Sequence, residues 1–296
     1  MNTALQPTTI EDWVYWAEKK FSAADLFYGH GTDNAIDEAV YLISHALNTD
    51  YGLTGFDPKE TLSPKNNKCI EDLLQQRIST KKPAAYLVHE AWFCGLPFYV
   101  DERVLVPRSP IAELIHDEFQ PWIARDKINS ILEIGTGSGC IALSCAHYLD
   151  NTKVTAVDID DGAIEVANIN LQRMNLQDRV SIIKSDVFDS LADEKYDIIV
   201  SNPPYVSQQE YDGLPLEYKE EPVIGLTSGD DGLDCVTKIL NQAAQHLNPQ
   251  GILIVEVGNS QDALQRAFPK LPFMWLEFEM GGEGVFLLER KHLINF

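Results

Sequence analysis

Four consecutive residues, Asn202-Pro203-Pro204-Tyr205, follow directly on an apolar run, Tyr196-Asp-Ile-Ile-Val-Ser201. A buried strand does not continue into two prolines, since neither can donate to a sheet ladder, so the chain leaves a sheet at this point. The prolines fix the backbone and the directions of their carbonyls. Asn202 supplies one acceptor oxygen and two donors, and Tyr205 supplies a flat face. Together the Asn202 side-chain oxygen and the Pro203 carbonyl can accept both N–H groups of a planar, conjugated –NH2, with Pro204 as a rigid spacer and Tyr205 stacked on the plane. Asn202, Pro203 and Tyr205 are therefore the candidate catalytic residues. No Cys-His or Ser-His pairing suggests a covalent nucleophile.

A second set lies upstream in Glu133-Ile-Gly135-Thr136-Gly137-Ser138-Gly139-Cys-Ile-Ala-Leu143. Glycines let backbone turn tightly and approach a ligand closely. A helix starting there offers free N–H groups to an anionic group. The spacing is G-x-G-x-G, with Cys140 where the third glycine of a dinucleotide fingerprint would fall. No G-K-[ST] follows, which excludes a P-loop. Asp158 closes the next apolar run and can accept both hydroxyls of a ribose, as in other nucleotide-binding α/β sheets.

The elements that must position these residues are legible as alternating apolar runs and helical stretches. The expected strands are 131–134, 154–159, 180–184, 196–201, 252–257, 274–279 and 285–288. Near-continuous apolar strands alternating with helices predict a mainly parallel sheet covered on both faces. Upstream, residues 1–88 read as a small helical domain. Trp13, Trp16, Ala17 and Phe21 recur at helical spacing, a second helix is expected over 37–47 and a third over 69–78. From Tyr86 to Val106, two apolar runs flank Gly95-Leu96-Pro97 and read as a β-hairpin. Residues 89–115 then form the connection, a helix starts at Ile111, and residues 116–296 form the catalytic domain.

The glycine loop with Glu133 resembles the first motif of class I S-adenosylmethionine-dependent methyltransferases, E/D-x-G-x-G-x-G. The Asn-Pro-Pro-Tyr motif resembles that of amino-methyltransferases acting on adenine, on cytosine or on protein glutamine, and does not separate the three. The resemblance implies an α/β fold of the Rossmann-like kind, a mostly parallel seven-stranded sheet preceded by a small helical domain and a hairpin. It implies S-adenosyl-L-methionine as cofactor and S-adenosyl-L-homocysteine as product. The cofactor residues it assigns are Glu133, Gly135, Thr136, Gly137, Ser138, Gly139, Asp158 and Asn202. It adds Asp186 for the adenine amino group and Phe188 for packing on the ring, though Phe188 reads equally well as a core residue. Methyl transfer to an amide demands two acceptors that hold the nitrogen in line and stabilise its developing positive charge; the proton can leave afterwards.

The helical domain, the hairpin and Arg103-Val-Leu-Val-Pro-Arg108 resemble the protein glutamine methyltransferases over nearly the whole chain. One branch acts on peptide release factors and typically carries a proline and a threonine after Pro-Arg; this chain reads Pro107-Arg108-Ser109-Pro110 and departs from it. Phe21 to Asn34, Trp92-Phe-Cys-Gly95 and Phe98 to Arg103 resemble the branch that methylates a large-subunit ribosomal protein. Arg108 can contact the substrate backbone, brace the cofactor loop or bridge the domains. Tyr28-Gly-His30-Gly31 reads as a recognition loop or a structural turn, 228–234 as a turn rather than a calcium loop, and Glu256 as a pocket-shaping residue.

The formal net charge of −22 repels phosphate backbones and attracts basic partners such as ribosomal proteins, besides favouring solubility. A nucleic-acid amino-methyltransferase is thereby disfavoured, as is a non-enzymatic ribosome-assembly factor, since the motif is intact. The five cysteines are scattered without a Cys-x-x-Cys pair, so neither a metal site nor a disulfide framework is expected. The opening residues lack a basic leader, and no apolar run spans a bilayer. A cytoplasmic protein is the expectation.

Overall fold

The computed structural model describes residues 7–49, 53 and 55–294; Met1–Gln6, on which the reading of a missing leader partly rests, lie outside them. The chain divides into two compact units, Met1–Glu90 with Pro215–Glu220, and Ala91–Leu214 with Glu221–Phe296.

In the first unit, α1 (Ile10–Ala23) begins at Thr9, whose hydroxyl accepts the Asp12 N–H while the Asp12 carboxylate accepts the Thr9 N–H. This reciprocal cap satisfies two otherwise orphaned donors. Asn34 caps α2 (Ala35–Ala46) and Ser63 caps α3 (Pro64–Thr80), which opens on a proline and ends at Lys81 in a left-handed conformation. Trp13, Ala17 and Phe21 of α1 face Ala39, Leu42 and Ile43 of α2 and Ile70 and Leu74 of α3 in one buried cluster. Fully burying a large aliphatic side chain contributes roughly 1.5–3 kcal/mol. The sequence suggested a strand from Tyr86, but Ala84–Val88 forms a short helix, α4. Its apolar residues are buried on every side rather than alternately, the pattern that period alone cannot assign.

The second unit opens with a short hairpin, β1 (Ala91–Phe93) and β2 (Leu96–Phe98), paired Ala91 to Phe98. Cys94 and Gly95 both have positive φ, as a tight two-residue hairpin turn requires. After Phe98 the chain runs without regular structure to α5 (Ile111–His116). Then come β3 (Ser130–Ile134), α6 (Cys140–Tyr148), β4 (Lys153–Asp158), α7 (Asp161–Met174), β5 (Val180–Lys184), β6 (Tyr196–Ser201) and α8 (Gln208–Gly213). The chain finishes through α9 (Asp234–His246), β7 (Leu247–Glu256), α10 (Gln261–Ala267), β8 (Met274–Trp275) and β9 (Val285–Glu289).

Among the described residues, seven strands form one sheet in the order β5-β4-β3-β6-β7-β9-β8; the first five run parallel, β9 runs antiparallel to β7, and β8, antiparallel to β9, points the same way as the first five. This is the class I methyltransferase fold. Alternate residues feed opposite faces, as the pleat dictates: Ile198, Val200, Ile252 and Ile254 enter one core cluster, and Ile199, Leu253 and Val255 the other. The register brings four carboxyl ends level, with Ile134 opposite both Val157 and Ser201, and Ser201 opposite Val255. One residue further along, Gly135, Asp158, Asn202 and Glu256 therefore stand in a row. The connections diverge to either side of β3, which makes its carboxyl end the switch point where α/β ligands bind.

Candidate active site

A cavity of about 240 Å3 opens at this row, lined by Gly135, Gly137, Asp158, Asp186, Asn202 and Pro204. Gly135, with φ +74°, has the Asn202 carbonyl oxygen 3.9 Å from where a Cβ would stand. A side chain there would be strained by the positive φ, and its Cβ would sit in ordinary contact with the motif backbone. The loop ends at Gly139, which opens α6.

Glu133 is almost fully buried and does not face the cavity. Its Oε2 accepts the Thr136 hydroxyl at 2.5 Å and the Ala142 N–H at 3.0 Å. It thus ties the glycine loop to the first turn of α6, and burial pushes its carboxyl up to about 8. Thr136 and Ser138 are likewise buried; the Ser138 carbonyl accepts the Asn170 amide at 2.9 Å, so both shape the loop from behind.

The Asp158 carboxylate lies on the cavity wall. One oxygen accepts the Gly137 N–H at 2.8 Å, the other the Asp160 N–H at 3.0 Å. Burial holds its carboxyl above the usual range, against the pull of those N–H groups. Each carboxylate oxygen retains a further acceptor site for a hydroxyl. Asp186 also lines the cavity, and its Oδ2 takes the Lys238 ammonium at 2.7 Å.

Phe188 does not meet the expectation of an adenine platform. It is buried in the core and stacks on His246 with ring centroids 4.6 Å apart. Val187 lines the cavity in its place, at φ +56°. A β-branched residue in that region is a genuine backbone outlier, and this inversion turns position 188 into the core.

Asn202 is half-buried at the cavity wall, and its side-chain amide makes no hydrogen bond to any described residue. Pro203 is buried, and Tyr205 is half-buried beside a second cavity lined by Val206, Gln209, Glu210, Gly213, Leu214 and Asn259. An acid-rich, glycine-floored cavity with apolar walls from Ile134, Ile159 and Ala163 suits a ligand carrying ribose hydroxyls, an apolar ring and a cationic centre.

The Methyltransferase small domain family matches residues 119–214. The chain is 45% identical over 289 residues, 97% of its length and 92% of the relative's, to the ribosomal protein uL3 glutamine methyltransferase of Francisella tularensis. It is 45% identical over 293 residues, 99% and 98% of the two lengths, to the enzyme of the same name from Neisseria gonorrhoeae. The chain belongs to the ribosomal protein uL3 glutamine methyltransferase family. As a member it is an S-adenosylmethionine-dependent methyltransferase. A solved structure, the hMettl16 catalytic domain in complex with a MAT2A 3′UTR hairpin, shares the fold with a TM-score of 0.51 at 18% identity, covering 74% of this chain and 79% of that one.

Arg108 is tied to a buried acid. Its guanidinium pairs bidentately with Glu221 at 2.6 and 2.7 Å, and the Glu221 carboxylate also accepts the Val106 N–H at 3.0 Å. Glu221 is buried. Leu105 packs so tightly on Gly225 that a Cβ there would stand 2.4 Å from it. Segments 103–106 and 221–225 are thus locked together where Arg103, Val104, Leu105, Pro222 and Ile224 line the cavity. Sequence reasoning named neither Glu221 nor Val187, because a buried acid and an inverted backbone leave no periodic signal. His30 is buried with its ring 4.5 Å from that of Tyr218 within the first unit.

Proposed function

We propose that the protein transfers the methyl group of S-adenosylmethionine to the side-chain amide nitrogen of a glutamine in ribosomal protein uL3. The observation that carries the reading is the placement of an unengaged Asn202 amide, level with Gly135 and Asp158 in the sheet register, on the wall of one cavity. Bound there, the cofactor supplies an electrophilic methyl on a sulfonium. Gly135 and Gly137 hold backbone close to it, Asp158 and Asp186 offer acceptors, and Glu133, Thr136, Ser138 and Gly139 hold the loop in shape. Asn202 Oδ1 and the Pro203 carbonyl accept the two amide N–H groups of the substrate. Both acceptors turn negative dipoles toward the nitrogen, which stabilises positive charge that develops only during transfer. Pro204 keeps the loop rigid and Tyr205 stacks on the amide plane. The proton leaves to solvent after transfer, so no strong base is required.

The net charge of −22 supports a basic ribosomal protein as partner and weighs against a nucleic-acid substrate. Residues 1–88 serve as the substrate-recognition domain, 89–115 as the connection and 116–296 as the methyltransferase domain. The ribosomal target and five free cysteines support a cytoplasmic location, and no helix among the described residues is long and apolar enough to cross a membrane. The test is incubation with labelled cofactor and, separately, uL3, a release factor and ribosomal RNA. Label on uL3, lost in Asn202→Ala, is expected. Label on the release factor or RNA alone overturns the substrate, and full transfer by Asn202→Ala overturns the mechanism.

A further inference from the structure

Beside the transfer site lies a buried carboxylate to which the reaction above gives no part. Glu256 closes β7 and is only 5% exposed. Its Oε2 accepts the Ser109 hydroxyl at 2.5 Å, and its Oε1 accepts the Tyr205 hydroxyl at 3.2 Å. Tyr205 is gripped at other points too. Its carbonyl accepts the Ser260 hydroxyl at 2.8 Å. A Cβ on Gly258 would lie 2.6 Å from the Tyr205 ring, and one on Gly232 would lie 2.2 Å from the Tyr205 carbonyl oxygen. Both positions have positive φ, so glycine is needed there for conformation as well as space.

A tyrosine that merely offered a flat face would not need this housing. Burying a carboxylate is costly unless it is well bonded, and here both oxygens are spent on two hydroxyls from different segments. Ser109 in turn accepts the Ile111 N–H at 3.2 Å, which anchors the start of α5 to the same carboxylate.

We propose that Glu256 is a positioning residue for methyl transfer: held by Ser109, it fixes the ring of Tyr205 at one angle beside the Asn202–Pro203 acceptors. This rests on the reading of Asn202–Tyr205 as the amide site. Glu256 acts through Tyr205 and touches no reacting atom. Burial raises its carboxyl, and the Ser109 and Tyr205 hydroxyls and the Arg108 charge act against that; the paired residue on β9 is the apolar Val285. A site aligned within a fraction of an ångström turns over faster than a loose one even when ground-state binding is unchanged, so the effect should fall on kcat.

The test is a double-mutant cycle in the full-length protein with purified uL3 and S-adenosylmethionine, using Glu256→Gln, Tyr205→Phe and the pair, each checked for native circular dichroism. Glu256→Gln is expected to lower kcat about tenfold, the equivalent of one lost buried hydrogen bond, and to leave cofactor KM within about twofold. Tyr205→Phe should do the same, and the double variant should be no slower than the slower single, the signature of residues acting as a unit. The wild-type kcat should also change with pH around neutrality, and Glu256→Gln should not show that inflection. If Glu256→Gln does not fold, Ser109→Ala is taken through the same cycle with the same expectation. An unchanged kcat, or losses that multiply in the double variant, overturns the inference alone. A wild-type protein that transfers no methyl to uL3 overturns the reading beneath it, and the inference with it.

Discussion

Replacing Arg77 with methionine tests how the first unit is held together. The Arg77 side chain is 1% exposed, and its partners Glu38 and Glu217 are 3% and 2% exposed. Its Nε donates to Glu38 at 2.8 Å, one terminal nitrogen to Glu217 at 3.3 Å and the other to the Phe27 carbonyl at 3.0 Å. Glu217 also accepts the Phe27 N–H at 2.9 Å. Arg77→Met keeps most of the volume but leaves two buried carboxylates without a cation. Removing one partner of a buried pair costs about 3–5 kcal/mol, against a total domain stability of roughly 5–15 kcal/mol. The loss should depend on pH, and the sign follows from Glu38. Burial already raises its pKa while Arg77 lowers it, so the variant raises it further. A carboxyl whose folded pKa lies above its unfolded one stabilises the fold at low pH, and that stability is lost as pH rises through the folded value. The penalty should therefore be largest at about pH 8 and shrink toward pH 5. Urea unfolding followed by tryptophan fluorescence reports it, because Trp13 is buried in this unit's core. A loss under about 1 kcal/mol, or one equal at both pH values, would refute the argument.

Other expectations follow from the site. Asp158→Asn places an amide –NH2 against one of two backbone N–H donors and should weaken cofactor binding at least about tenfold by calorimetry; unchanged affinity would remove Asp158 from the site. Phe188→Leu should leave affinity for S-adenosylhomocysteine within about twofold while lowering stability by roughly 1–2 kcal/mol, because the ring packs on His246 rather than on the ligand. Burial pushes Glu256 up to about 7, so its stabilising share is full at low pH and lost as pH rises through neutrality. Glu256→Gln should reduce the fall in Tm between about pH 5 and pH 8 without abolishing it, because Glu133 is raised to about 8 as well; an unaltered slope would mean Glu256 is ionised throughout.

What the sequence disclosed about this fold tracks what periodicity and turn chemistry encode. All seven sheet strands were legible as apolar runs, and the row Gly135, Asp158 and Asn202 follows from their ends, but β7 starts five residues before the expected 252 and β8 covers only Met274–Trp275 of the expected 274–279. The helix at Ala84–Val88 was hidden in a run that reads equally as strand, since a segment buried all round has no period to betray it. Phe188 was assigned to the ligand by the family resemblance, and the left-handed backbone at Val187 turns it into the core. Arg108 carried three readings, and its pairing with Glu221, an acid whose burial leaves no mark in local sequence, supports the brace. Glu256 stood at the right strand end, but its hold on Ser109 and Tyr205 depends on three segments far apart in the chain.

The central claim is that the transferred methyl ends on a glutamine side-chain amide of uL3. Tandem mass spectrometry of uL3 incubated with the purified protein and S-adenosylmethionine tests it most directly. The structure predicts a single added methyl on a glutamine fragment, absent when Asn202→Ala replaces the wild type. A methyl on lysine, arginine or a terminus, or an unmodified uL3, would contradict it.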